Sequence, residues 1–347
     1  MFSVVCPFYN EEAILERSVL RMLQHLANHA SRLEAEWELI IVNDGSKDRS
    51  LEIATRLERE NTHLRVISYS SNRGRGFALR QGVRAARGEW VVTTEIDSSW
   101  GDDIAYLLLD QFKIHPDADI IIASPNLPGG GYKNVPFKRV LLSRLGNAVI
   151  RIGFTRKTTM NTGMTRAYRR DKFLALPLEE DEKEIHLEII NKALAFHYRI
   201  YEIPATIEWK DKALSTPGAT KRRSSASVRK LIRTHLSFSL EVAPFRYLYT
   251  VAAICGVVGL GFSLFSIYRF LFQPPAIYSL LTGQLFLVLG LLFFGIGVLT
   301  KQNWLLLRNS WKSQSLMQQY LEIASAGQRD PLLPKEKDQF PFKELTH

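Results

Sequence analysis

"EWVVTTEIDSSW" (89–100) is a short apolar run that ends in two carboxylates, Glu95 and Asp97, with one isoleucine between them. Alternation in a strand sends residues i and i+2 to one face, so a strand over 89–96 is expected to project both carboxylates together. Two like charges side by side are unfavourable unless a proton or a cation relieves them. One or two carboxylates that leave coordination positions to diphosphate oxygens are the usual way of binding Mg2+ or Mn2+. A capped turn would explain Asp97 alone, but it leaves Glu95, read as still within the strand, without a partner.

Working outward, "FSVVC" (2–6), "WELIIV" (37–42), "LRVISY" (64–69) and "ADIIIA" (118–123) are further apolar runs, separated by helical stretches at 11–29, 48–60, 76–87 and 101–114. Such alternation predicts an α/β fold with a mostly parallel sheet covered on both faces. Ligands then sit at the carboxyl ends of the strands, where four loops fall. After the first strand, which Pro7 is expected to stop, "CPFYNEE" (6–12) offers Tyr9 as a flat face for a base and Asn10 and Glu11 as hydrogen-bonding groups. A turn and helix cap explains the same residues. "VNDGSKD" (42–48) is turn chemistry that also places Asp44 where a nucleoside is gripped by its polar edge. "NRGRGFALRQG" (72–82) fails as a dinucleotide fingerprint because Leu79 stands in place of the third glycine. It remains a flexible turn with Arg73, Arg75 and Arg80 at a helix start, suited to a diphosphate. The fourth loop carries Glu95 and Asp97.

These loops, in this order, resemble family-2 glycosyltransferases with the A-type nucleotide-sugar fold, and among them polyprenyl- or dolichyl-phosphate sugar synthases. The resemblance rests on Pro7, Tyr9, Asn10 and Glu11, on Asp44-Gly45-Ser46, on Asn72, Gly74, Arg75 and Gly76, and on Glu95 and Asp97 at the Asp-x-Asp metal motif. "LPGGGY" (127–132), "RVLLSRLGN" (139–147), "NTGMTRAYRRD" (161–171) and "HLEIINKALAFHYRIYEIPATIEWK" (186–210) follow the family's order as well, so the likeness covers roughly 2–235. The chain departs from the pattern where Glu95 replaces the first Asp and where Ser99 stands at a third polar position. It also departs in "SPNLPGG" and "KTTMNTG", which lack a usual arginine and a usual acidic residue.

The resemblance implies transfer of a hexose from a nucleoside diphosphate sugar to polyprenyl phosphate, with inversion and a divalent metal, Mg2+ or Mn2+. UDP-glucose is favoured by the 72–82 loop, and GDP-mannose stays open. It assigns Asp97 as catalytic, and Pro7, Tyr9, Asn10, Glu11, Asp44, Asn72, Arg75 and Glu95 to the nucleotide. Glu95 and Asp97 hold the metal, while Arg139, Lys210, Lys212 and Glu188 face the acceptor phosphate. Arg151, Arg166 and Arg169 are further cations in the acceptor half. A processive polysaccharide synthase is disfavoured by the absence of a Gln-x-x-Arg-Trp stretch. A silent nucleotide-sugar-binding scaffold and an assembly subunit are the non-enzymatic alternatives.

The chain has 347 residues and a formal charge of +10. Two uncharged runs, 247–268 and 277–300, each span about 33 Å or more at 1.5 Å per residue, enough for a bilayer core. "QPPA" (273–276) joins them into an expected transmembrane hairpin. Basic residues crowd the outer flanks, among them Arg222, Arg223, Arg229, Lys230, Arg233, Lys301 and Arg308, which puts both termini in the cytoplasm. The positive excess therefore belongs beside a membrane, a bacterial inner membrane or its equivalent, and no nucleic acid is expected as partner. Self-association stays open. The start of the chain lacks a basic leader, so no signal peptide is expected. Cys6 and Cys255 make neither a metal spacing nor a disulfide framework. The expected organisation is a cytoplasmic glycosyltransferase domain (1–226), a juxtamembrane amphipathic helix (227–245), the hairpin (246–300), and a cytoplasmic amphipathic segment with a tail (301–347). Trp304 and Trp311 are expected to anchor that last segment at the membrane interface.

Overall fold

β1 (Phe2–Phe8) lies in the interior of the sheet, and its residues from Phe2 to Cys6 are all buried. It pairs in parallel with β2 (Trp37–Asp44) on one side and with β4 (Trp90–Thr93) on the other, and β3 (Leu64–Tyr69) extends the sheet beyond β2. The computed structural model describes residues 1–33, 35–137, 140–141, 158–208, 244–272 and 277–327. Helices α1 (Leu15–Leu33), α2 (Ser50–Glu60) and α3 (Arg75–Ala85) make the crossovers between these strands. Leu15, Val19, Leu23 and Leu26 of α1 form one buried stripe at helical spacing.

Beyond β4 the chain adds α4 (Ile104–Ile114), β5 (Ile120–Ser124) and a short β6 (Gly131–Lys133). β7 (Arg166–Arg169) then inserts antiparallel between β4 and β5, followed by α5 (Arg170–Leu174), α6 (Ile185–Ala195), β8 (Ile200–Pro204) and β9 (Thr206–Glu208). The sheet order is β3-β2-β1-β4-β7-β5-β8, mostly parallel as expected, with β6 and β9 as a separate parallel pair. That pair stands at the rim, since Glu208 N–H donates to the Ser99 carbonyl at 2.7 Å.

Two strand boundaries differ from the sequence expectation. Pro7 does not stop β1, whose register with β2 runs on to Phe8. β4 pairing ends opposite Val5, so β1 is one-sided at Pro7 and the missing N–H costs little. β4 itself ends at Thr93 and not at 96, which removes the alternation that was to align Glu95 with Asp97.

α7 (Pro244–Phe272) and α8 (Ile277–Gly327) form an antiparallel pair. By length and composition, Phe245–Phe272 and Ile277–Trp311 are each long and apolar enough to cross a membrane. Gly283, Gly290 and Gly297 repeat every seven residues along the face of α8 turned to α7, meeting Gly259, Ala252 and Tyr249 respectively. A Cβ at Gly283 would lie 3.0 Å from the Gly259 carbonyl, so small residues set the close approach of the two backbones. The segment at 301–327 is not a separate helix: α8 is continuous over 51 residues, about 77 Å at 1.5 Å per residue. It therefore outruns any hydrocarbon core. The expected helix at 227–241 and the turn at 273–276 lie outside the described residues.

Candidate active site

The carboxyl ends of β1, β2, β3 and β4 bring the four loops to one rim, and hydrogen bonds between loops hold them there. Asn10, in a left-handed conformation (φ 55°) that Asn tolerates, accepts from Lys47 N–H at 2.8 Å through its side chain. Its own N–H donates to Ser46 Oγ, Glu11 N–H donates to Ser50 Oγ, and Glu12 bonds both Asp48 and the Arg49 amide. Asn10 and the Glu11 backbone thus join the first loop to the second. Tyr9 is half-buried, while Asn72 and Arg75 are exposed on the rim.

Asp44 is at the rim and buried, and its carboxylate serves the protein itself. Oδ1 accepts from Tyr69 Oη and Arg73 N–H, both at 2.8 Å, and Oδ2 accepts from Gly74 N–H at 3.1 Å. Burial and the Asp44 carboxylate push the Tyr69 phenol above its ordinary range, so it stays a donor. Contact with a nucleoside would have to use the capacity left on Oδ2.

Asp44 is one anchor of the 72–77 loop, and the other arrives from about a hundred residues away. The Asp181 carbonyl accepts Gly76 N–H at 2.6 Å and Phe77 N–H at 3.1 Å, capping the start of α3. Arg80 bonds the Glu180 carbonyl and the Asp181 side chain, and Arg73 lies 3.6 Å over the Phe77 ring. This corrects the expected diphosphate cradle. Its helix-start amides are occupied and Arg80 is committed, which leaves Arg75 as the arginine of that loop turned to the carboxylates.

Arg75 Nη1 donates to Glu95 Oε1 at 3.3 Å. Glu95 is half-buried and Asp97 exposed; they are drawn together by a turn in which Ser98 takes φ 52° and its N–H meets the Glu95 carbonyl. Ser99 serves both: its Oγ donates to Glu95 Oε2 at 3.3 Å and its N–H to Asp97 Oδ1 at 3.0 Å. Buried Ile96 and Trp100 pin the turn into the core. The donors are hard oxygens, and among the described residues no group of three or more His, Cys, Asp or Glu converges as a metal site. Two carboxylates with the remaining positions left to substrate oxygens fit Mg2+ or Mn2+. Burial and then the charge of Asp97 push the nearby Cys6 thiol far up.

Other expected residues are placed differently. Glu188, expected at the acceptor, is buried, accepting the Glu179 and Glu180 amides at 3.0 Å and pairing with Lys192 at 2.7 Å. A carboxylate between two amides and an ammonium has little capacity left for a ligand. Arg169 lies opposite Trp90, at the amino end of β4, and bonds the Pro116 and Ala118 carbonyls away from the rim. Arg166, opposite Thr93, is fully buried and donates to the His186 and Asn161 carbonyls at 2.9 and 2.7 Å. Arg139, Arg151, Lys210 and Lys212 lie outside the described residues.

His186 carried no signal as a lone histidine in an apolar helix. It is 1% exposed, and neither ring nitrogen has a hydrogen-bond partner among the described residues. Burial, then the charges of Arg166 and Arg75, hold its imidazole well below 6.5. Above pH 6.5 folded and unfolded chains are both neutral there; below it the unfolded chain takes up a proton that the folded chain refuses. Stability is therefore lost as pH falls, by up to about 1.4 kcal/mol per pH unit from this group. His186→Gln is expected to narrow the gap in thermal midpoint between pH 7 and pH 5. An unchanged gap would contradict the assignment.

The sequence pattern of glycosyl transferase family 2 matches residues 3–176, about half of the chain. The human dolichyl-phosphate beta-glucosyltransferase is 36% identical over 100 residues, 28% of this chain and 31% of that protein. The chain spans about a third of the length of the curated relatives it matches. Among solved structures, mannosyl-3-phosphoglycerate synthase from Rubrobacter xylanophilus aligns with a TM-score of 0.50 at 15% identity, covering 70% of this chain and 74% of that one. Glucosyl-3-phosphoglycerate synthase from Mycobacterium tuberculosis, solved with Mn2+, UDP and phosphoglyceric acid, aligns at 0.49 and 18% identity over 69% of this chain and 78% of that one. The expected A-type α/β fold is borne out by the sheet order and the family match. On these grounds the chain belongs to glycosyl transferase family 2.

Proposed function

We propose that this protein transfers a hexose from a nucleoside diphosphate sugar to a polyprenyl phosphate at the cytoplasmic face of a membrane, with inversion. UDP-glucose is the favoured donor and GDP-mannose the other candidate. The observation that carries the reading is the Glu95–Asp97 pair, clamped by Ser99 and faced by Arg75, in a chain that also has two helices long and apolar enough to cross a bilayer. The similarity to a dolichyl-phosphate beta-glucosyltransferase supports the lipid acceptor.

Glu95 and Asp97 would hold the divalent ion, which supplies charge neutralisation for the diphosphate. Arg75 reaches Glu95 and stands where it can also bond a diphosphate oxygen, offsetting the charge left on the leaving group. A phosphate monoester acceptor has a second pKa of about 6 and arrives largely anionic, so no side chain has to remove a proton from it. The rim's work is then positioning and electrostatic stabilisation. Tyr9 on the first loop and Asn72 on the Asp44-anchored loop are the groups offered to the nucleoside. Calorimetric titration of the full chain in detergent with UDP and GDP, with and without Mn2+, tests this reading. Mn2+-dependent binding of one nucleotide is expected, and binding of neither would overturn it.

A further inference from the structure

Past Thr300, α8 turns one stripe of side chains onto the rest of the protein. Between 301 and 311 the half-buried residues are Trp304, Arg308 and Trp311, spaced i, i+4 and i+7 on one helix face, while Leu305, Leu306 and Leu307 are exposed. Trp304 lies against Phe245 of α7, with ring centroids 6.0 Å apart. Arg308 Nη2 donates to His197 Nε2 at 2.9 Å, just beyond the end of α6. Lys192 of α6 holds its ammonium 5.0 Å from the centroid of Trp311, within cation–π range. Both tryptophans expected at the membrane interface are therefore packed on protein.

Lys192 is the link inward. It is buried, and its ammonium also donates to the Pro177 carbonyl and to Glu188. Glu188 holds the Glu179 and Glu180 amides, and the next residue, Asp181, caps α3 at Gly76 and Phe77. Arg75, at the first turn of α3, meets Glu95. A continuous series of contacts thus leads from the helix that leaves the apolar hairpin to the arginine at the candidate donor site.

We propose that Trp311 and Arg308 are positioning residues for the donor site, holding α6 so that the Lys192–Glu188 pair keeps the 177–182 loop on α3 and Arg75 on Glu95. The role assigned to Arg75 rests on the function proposed above; the mechanical coupling does not. Losing it should weaken donor capture more than the chemical step, because the series of contacts ends at Arg75, the arginine that meets Glu95.

The test uses the full chain in lipid nanodiscs, with Trp311→Ala, Trp311→Phe and Arg308→Gln. Hydrogen exchange is followed in peptides covering 177–182 and 74–80, and KM for the nucleotide sugar is measured separately from kcat. Trp311→Ala is expected to speed exchange in both peptides and to raise KM, each by about three- to tenfold, with kcat within about twofold. Trp311→Phe, which keeps an aromatic face, should restore most of both. Arg308→Gln, at a half-exposed site, should give the same pattern more weakly and decides the matter if Trp311→Ala does not fold. Unchanged exchange in Trp311→Ala and Arg308→Gln would overturn the coupling. Faster exchange with unchanged KM would overturn the positioning role. Exchange needs no substrate, so failure of the wild-type chain to transfer sugar would strike the proposed function and leave this result standing.

Discussion

Asp97→Asn is expected to lower turnover by about 10³-fold while leaving the fold intact. Asp97 is exposed, and its only hydrogen bond described is the one its Oδ1 accepts from the Ser99 amide, which an asparagine oxygen can still accept. The substitution therefore removes a charge and little else. If that charge holds the divalent ion against the donor diphosphate, transfer and Mn2+-dependent nucleotide binding are lost together. Glu95, kept by Ser99 and Arg75, would remain as a single carboxylate, too weak a site for a cation that must also face a diphosphate. Steady-state kinetics at saturating Mn2+ checks it, with the thermal midpoint measured alongside. Full activity would remove Asp97 from the metal site.

Gly76→Ala is expected to be nearly as damaging without touching any ligand. A Cβ there would lie 2.4 Å from the Glu180 carbonyl oxygen and 2.8 Å from the Asp181 carbonyl carbon and the Glu182 oxygen. All three are backbone atoms, so no flexible side chain can move aside. The 180–182 loop must separate from α3, breaking the bond between Gly76 N–H and Asp181 and shifting Arg75 away from Glu95. Overpacking of this kind costs about 1–3 kcal/mol of stability. Misplacement of a positioning group by about 1 Å costs about 10²-fold in rate. Thermal unfolding and kcat/KM measure the two effects, and wild-type values for both would show that the loop contact is dispensable.

Most of the sheet was legible because β1, β2, β3 and β5 are compact apolar runs separated by helices. β7 was not. Arg-Ala-Tyr-Arg looks like a polar turn, and it becomes a strand only because Arg166 finds two buried carbonyls and β4 and β5 lie on either side. The unbroken course of α8 was missed, because the loss of apolar character at 301 suggests a boundary, although no proline or glycine falls between Gly297 and Gly327 to end a helix. Its basic and tryptophan residues suggested a membrane surface, whereas their partners, His197 and Lys192, lie more than a hundred residues earlier.

At the site, Glu95 and Asp97 were legible as a pair, but the mechanism bringing them together was not. Alternation demanded a strand to 96; the left-handed Ser98 and the double grip of Ser99 achieve the pairing by a turn. Asp44 reads as ligand-facing from its place at the end of a buried strand, and Glu188 from the family resemblance, although Lys192 stands four residues on as a partner visible in the sequence. Besides Tyr69 and Lys192, their partners are backbone amides at 73–74 and 179–180, which carry no side-chain signature.

The most direct measurement is the chemical identity of the product. The full chain in polyprenyl-phosphate-containing vesicles is incubated with radiolabelled UDP-glucose or GDP-mannose and Mn2+, then extracted into organic solvent. A single labelled glycolipid, formed from one of the two donors, abolished by EDTA and absent with Asp97→Asn, is the predicted result. Label that stays in the aqueous phase with both donors, or a lipid product that forms undiminished in EDTA, would contradict metal-dependent transfer to a lipid phosphate.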